Sequence, residues 1–178
     1  MSVTSRRALA VPAIVALAAV AATAPASAHS RGPLLRTSGP LADLQTAAGP
    51  FDGATAAFQL VASAKGSHGV LRVHGIDASA DGATFGAHLH VGPCVAGDGA
   101  AALGHYNTQV LAGAPRPAIS EETEMWLDIT VDDGAATATA SVPFVPVAGT
   151  RSVVVHAMAT DHHTGAAGPR LACLPVVW

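Results

Sequence analysis

The chain is poor in charge and poorer still in positive charge. Charged residues make up 12% of its 178 positions, with nine Lys and Arg against twelve Asp and Glu. A nucleic-acid partner needs basic residues that displace the counterions of a phosphate backbone, and this balance excludes one as the expected partner. Cysteine is scarcer, with Cys94 and Cys173 the only two. They do not form a Cys-x-x-Cys pair, so thiol redox chemistry is not indicated. There is no internal repeat, and no stretch carries the periodicity of a long amphipathic helix.

What is present begins with an export signal. Arg6-Arg7, the apolar run from Ala8 to Ala22 and Ala26-Ser27-Ala28 are the charged, apolar and small-residue parts of a cleavable leader. Pro12 interrupts the run and small residues end it, which favours cleavage over a membrane anchor. No cysteine lies near the cut to carry a lipid. Ser5-Arg6-Arg7 also hints at the twin-arginine route, so the export pathway stays open. The expected product starts at His29, has no stable membrane span, and is secreted or held in the cell envelope. Loss of Arg6 and Arg7 leaves seven basic residues against twelve acidic ones, a formal charge of −5. An oxidising compartment makes a disulfide the expected state of the two cysteines, with two free buried thiols as the alternative. Such a bond would span 79 residues and add roughly 4 kcal/mol on the chain-entropy account.

Residues 29–40 lack any periodic pattern and read as a flexible leader, so the folded domain is expected over 41–178. From there the pattern is all-β. Short runs rich in Val, Thr, Ile and Leu fall at 54–63, 69–76, 84–91, 125–131, 136–142, 150–157 and 170–176. Turn chemistry separates them at Lys65-Gly66-Ser67, Asp81-Gly82 and Asp132-Asp133-Gly134. A first strand near 41–46 brings the count to about eight, the scale of a Greek-key sandwich or barrel. The exception is 92–124, a long irregular stretch, and loops of that length in a compact domain are usually functional. Cys94 opens it and His105 lies in its middle, so a disulfide at Cys94 would hold the loop near the strand before it.

That strand carries His88 and His90, which alternation along an extended backbone points to one side, with Leu89 on the other. A single histidine is more often structural than functional. Two large half-polar rings side by side without partners would be costly if buried. With His105 and the late Val153-Val154-Val155-His156 run they make a candidate set of four imidazoles with no thiolate nearby. Such a set suits copper or zinc, and the first-row affinity order favours copper. An anionic substrate would have to be drawn in against the net charge, which makes Arg170 a candidate binding residue. His68 and His74 read as turn and outward strand positions, and His162 and His163 as surface residues that could supply a second ligand pair.

These segments resemble the copper/zinc superoxide dismutases. Gly86-Ala87-His88-Leu89-His90 is similar to their Gly-Phe-His-Val-His strand, and Gly104-His105-Tyr106-Asn107 to their Pro-His-Phe-Asn. Val153-Val154-Val155-His156 resembles Leu-Val-Val-His, and Ala167-Gly168-Pro169-Arg170-Leu171-Ala172-Cys173 resembles Ala-Gly-Ser-Arg-Leu-Ala-Cys. The similarity runs roughly from Leu41 to Val176. It implies an eight-stranded Greek-key barrel, copper on His88, His90, His105 and His156, a Cys94–Cys173 disulfide, and superoxide guided by Arg170 and converted to dioxygen and hydrogen peroxide. His105 would detach from the metal and carry a proton during turnover.

The departures from the family pattern matter as much. The family's loop supplies two further histidines and an aspartate for zinc, whereas 106–127 here holds neither residue type. Glu121, Glu122 and Glu124 read as a solvated polar run. A copper-only site is therefore expected, with zinc doubtful. The loop before Arg170 is short, and its Asp161 could accept a hydrogen bond from a ligand imidazole. The alternative function is a copper carrier or buffer on the same fold. A free His29 amine could also chelate copper, but the other motifs already account for a metal. No motif marks a dimer surface, so a homodimer is left open.

Overall fold

The computed structural model describes Met1 and residues 34–178. The expected signal over 1–28, His29 and the first part of the leader lie outside the described residues. Ten strands follow in order: β1 (Leu34–Pro40), β2 (Ala42–Asp43), β3 (Thr55–Ser63), β4 (Gly66–His74), β5 (Thr84–Phe85), β6 (Ala87–His90), β7 (Ile129–Thr130), β8 (Ala135–Val142), β9 (Thr150–His156) and β10 (Arg170–Val177). Among the described residues helix is reduced to one turn at Thr108–Leu111, capped by Asn107, and two short 3-10 turns.

Eight of the strands form two antiparallel sheets, β1-β3-β4-β8 and β2-β10-β9-β6, and β5 pairs with β7 beside them. Alternate residues of each sheet point into one shared core. Phe58, Leu60, Leu71 and Val73 come from the first sheet, and Leu89, Val153, Val155, Leu174 and Val176 from the second. Among the described residues no ladder joins the two larger sheets. The fold is therefore a β-sandwich, without the ladder that would close it into the barrel implied by the resemblance.

Several boundaries differ from those read in the sequence, each for a physical reason. Residues 34–40, expected as a mobile leader, are an edge strand paired residue by residue with β3, from Leu34 opposite Val61 to Pro40 opposite Thr55. An edge strand takes its register from backbone hydrogen bonds to its neighbour, its residues 35–40 alternate only between half-buried and exposed, and Pro40 is tolerated at its end. The strand expected at 41–46 contracts to β2. The run at 84–91 breaks at Gly86, where a Cβ would sit 2.6 Å from the Ala167 side chain and 2.8 Å from Thr160 Oγ1. Only glycine permits that approach, which brings the loop after β9 against the start of β6. The run at 125–131 keeps its inward alternation, with Met125, Leu127, Ile129 and Val131 all buried. Its ladder shrinks to β7, because Trp126 meets His88 through a single isolated bridge.

Candidate metal centre

β6 is buried on both faces. Ala87 and Leu89 enter the sandwich core, so strand alternation sends His88 and His90 to the opposite side. β9 lies antiparallel to β6 with His88 opposite Val154 and His90 opposite Ser152, and His156 ends β9 with its N–H donating to the Gly86 carbonyl. On its next side β9 sets Val154 opposite Cys173 of β10. Cys173 is disulfide-bonded to Cys94 with a Cα–Cα distance of 5.7 Å, which ties the start of the long loop onto this face. A small apolar cluster of Leu44, Ala102, Val154 and Cys173 seals the junction. The loop then returns along the free edge of β6. Val91 N–H donates to the Gly104 carbonyl and Tyr106 N–H to the Leu89 carbonyl, which places His105 beside His90.

Four histidines from three segments thus converge. Ring centroids lie 4.0 Å apart for His88 and His105, 4.8 Å for His90 and His105, and 5.0 Å for His88 and His156. One nitrogen of each ring is fixed from behind. His90 Nδ1 donates to the Leu103 carbonyl at 3.1 Å and His156 Nδ1 to the Gly168 carbonyl at 3.1 Å. His105 Nδ1 donates to Glu124 Oε2 at 2.7 Å. His88 uses its other nitrogen: Thr160 Oγ1 donates to Asp128 Oδ1 at 2.6 Å and is left to accept from His88 Nε2 at 2.8 Å. These partners assign the tautomers, leaving Nδ1 of His88 and Nε2 of the other three as bare lone pairs.

His88 Nδ1 is buried with no hydrogen-bond partner. His90 Nε2 and His156 Nε2 face each other at 3.3 Å, and with both protons on Nδ1 neither has one to share. Two lone pairs at that distance repel unless an electrophile lies near both. One nitrogen from each histidine falls within 4.8 Å of all the others. Burial, with the neighbouring imidazoles adding to it, drives the His88 pKa far below its usual range and lowers His90 to about 2. Burial takes His156 to about 4, partly opposed by its bond to Gly168. Rings kept neutral and aimed inward are the state in which imidazole ligates metal. The donor set is compatible with a metal site and offers it four nitrogens.

Of the three glutamates read as solvated, Glu121 and Glu122 are exposed and Glu124 is not. It is buried and accepts from His105, from Asn107 Nδ2 at 2.9 Å and from Trp126 Nε1 at 2.8 Å. Burial alone would raise its pKa, but these donors outweigh it and hold the carboxyl below its usual range. Alternation held the clue: Glu124, Trp126 and Asp128 occupy the positions opposite buried Met125, Leu127 and Ile129. Asp161 likewise does not reach an imidazole. It caps a surface turn through the N–H groups of His163 and Thr164, and its neighbour Thr160, backed by Asp128, engages His88 instead. His162 and His163 are exposed, and His162 lies 3.5 Å from Glu121. His68 and His74 project to solvent from β4, and His68 lies within β4 itself, outside the turn expected for it.

Arg170 sits opposite His156 in the β9–β10 pairing, at an irregularity in the ladder. Its guanidinium donates to the carbonyls of Gly99 and Leu103. The Leu103 carbonyl therefore holds both Arg170 and His90. Leu103 has φ +57°, a conformation a non-glycine residue adopts at some strain and one that accompanies this doubly used carbonyl.

Comparison with protein families matches residues 54–175, which is 122 of the 178 positions, to the family described as copper/zinc superoxide dismutase (SODC). Comparison with curated proteins found no match.

Proposed function

The chain belongs to the copper/zinc superoxide dismutase family, and from that premise we propose that it is an exported superoxide dismutase working with copper alone. The observation that carries the proposal is the set of four inward lone pairs, one of them on the orphaned His88 Nδ1. Nitrogen donors without thiolate favour copper. His105 would need a free Nδ1 to reach a second ion, and Glu124 occupies that nitrogen. Export is supported by the Cys94–Cys173 disulfide and by the N-terminal signal pattern. Among the described residues no helix is long and apolar enough to cross a membrane.

The chemistry copper supplies when bound is one-electron exchange, oxidising one superoxide to dioxygen and reducing a second, which leaves as hydrogen peroxide after gaining two protons. The residues arrange the rest. His88, His90 and His156 are the buried ligands, and the carbonyls of Leu103 and Gly168 with the Thr160–Asp128 pair fix their orientation. The His105 side chain is 18% exposed and so is the imidazole that meets water. Its Nε2 takes and returns a proton, while Glu124 holds Nδ1–H and balances the imidazolium charge. Arg170, anchored by two carbonyls, presents a fixed cation and its remaining N–H groups to a small anion.

The test is elemental analysis after reconstitution with copper and zinc and dialysis, with dismutation assayed on the same sample. One copper, little zinc and fast turnover are expected. Stoichiometric zinc overturns the single-metal reading, and copper without turnover turns the protein into a copper buffer. Arg170→Ala should lower turnover with copper retained; unchanged turnover removes Arg170 from the role given to it. Mass spectrometry of the exported N-terminus decides whether cleavage exposes His29.

A further inference from the structure

Three methionines occur in the chain, and two of them lie in contrasting places. Met125 is fully buried between the sheets, whereas Met158, two residues beyond His156, is 55% exposed. The segment bearing Met158 is zipped onto the site. Ala157 N–H donates to the Pro169 carbonyl at 2.8 Å, Met158 N–H to the Ala167 carbonyl at 3.0 Å, and Gly86 N–H to the Met158 carbonyl at 2.7 Å. The Met158 side chain lies across Gly168: a Cβ there would meet its Cε at 3.0 Å, its Cγ at 3.2 Å and its Sδ at 3.5 Å. Gly168, at φ +74°, gives its carbonyl to His156 Nδ1. One line of contact therefore runs from an exposed thioether through Gly168 to a ligand of the metal centre.

We propose that Met158 is a modification site at which hydrogen peroxide leaving the copper centre oxidises the thioether to the sulfoxide and so loosens the seat of His156. The source of the oxidant rests on the dismutase reading above; the placement of the thioether does not. In the step, a sulfur lone pair attacks one peroxide oxygen, an S–O bond forms and the O–O bond breaks. Sulfur gives up two electrons, and the departing oxygen leaves as water after taking the proton of the transferred hydroxyl. The product is a polar, bulkier group that no longer lies flat on Gly168, and solvent draws it away. With that cover lost, the Gly168 carbonyl is free to move and His156 loses its fixed orientation. The change is reversible by methionine sulfoxide reductases.

The experiment uses the exported, disulfide-bonded, copper-loaded protein. Graded hydrogen peroxide is followed by peptide mass mapping, and copper release to a chelator is timed on the same samples. The expected result is one oxygen on Met158 before any on Met125, with release roughly tenfold faster, the scale on which outer-shell partners act. Reductase treatment should restore slow release, and Met158→Leu should keep slow release after the same peroxide dose. Oxidation of Met125 ahead of Met158 overturns the proposal, as does equal acceleration in Met158→Leu. A superoxide flux in place of added peroxide separates the two readings. If the protein does not dismutate, the flux leaves Met158 no more oxidised than in the apoprotein, while added peroxide still modifies it first.

Discussion

The two larger sheets use the same backbone geometry and end in opposite states. In the β1-β3-β4-β8 sheet, β3 and β4 turn alternate residues to the core and to water, and His68, Arg72 and His74 project from β4 into solvent. In the β2-β10-β9-β6 sheet, all four residues of β6 and the last five of β9 are buried. The difference lies in what covers the outer face. The long loop pinned by Cys94–Cys173 and the segment after β9 fold over the second sheet, and among the described residues nothing comparable covers the first. Histidines at equivalent outward positions are thus solvated on one sheet and dry on the other. A loop layer over a strand face turns ordinary alternation into a site in which imidazoles stay neutral and aim at one point.

Mutations in matched pairs should expose this contrast most strongly. His90→Ala should abolish copper retention through dialysis, whereas His74→Ala on the open sheet should leave metal content unchanged; copper retained by His90→Ala would break the comparison. Next in size is the tie that holds the cover down. Cys173→Ser should lower unfolding free energy by about 2–5 kcal/mol in urea titration and should weaken copper retention too, because the loop start is released from β10. A stability loss with copper binding untouched would show that the cover does not depend on the tie.

Acid should act strongly on the covered sheet. The unfolded chain binds protons at the ordinary histidine value of 6.5, while folded His156 and His90 do so only near 4 and 2. Between these values the unfolded state holds more protons, so the apoprotein loses stability as pH falls from 6.5 toward 4 and below. Thermal unfolding of apoprotein between pH 7.5 and 4.5 checks this, and a flat profile would contradict it. Glu124→Gln should be milder, lowering copper affinity or turnover by roughly 10- to 100-fold with little change in thermal midpoint, since the fold keeps its other contacts. Smallest of all, Arg72→Ala on the open face should stay within about 0.5 kcal/mol of wild type and leave copper binding alone.

What was legible in the sequence follows the range of the forces involved. Alternation is local, so most strands were readable from their Val, Thr and Leu pattern, and the His88-x-His90 spacing already set both rings on one side. Two cysteines leave a single possible intramolecular pairing, and the structure joins them. β1 escaped because none of its residues 35–40 is fully buried, so no apolar alternation marks it, and its register comes from pairing with β3. Glu124 escaped because Ser120-Glu121-Glu122-Thr123-Glu124 is polar throughout, and its burial depends on His105, Asn107 and Trp126 closing around it. Asp161 was the expected acceptor for a ligand imidazole, yet position decides: Thr160 stands beside Gly86, where the missing Cβ admits it to His88.

By itself the sequence determined an all-β domain, a side-by-side histidine pair and the residues of a family motif set, because composition and two-residue periodicity are written locally. Only the tertiary structure decided which nitrogen of each imidazole is free. Leu103, Glu124, Thr160 and Gly168, the groups that hold the other nitrogens, come from 12 to 72 positions away in the chain. A lone pair becomes a ligand when its ring is desolvated and its second nitrogen is occupied, and both conditions are set by neighbours that meet only in the folded chain.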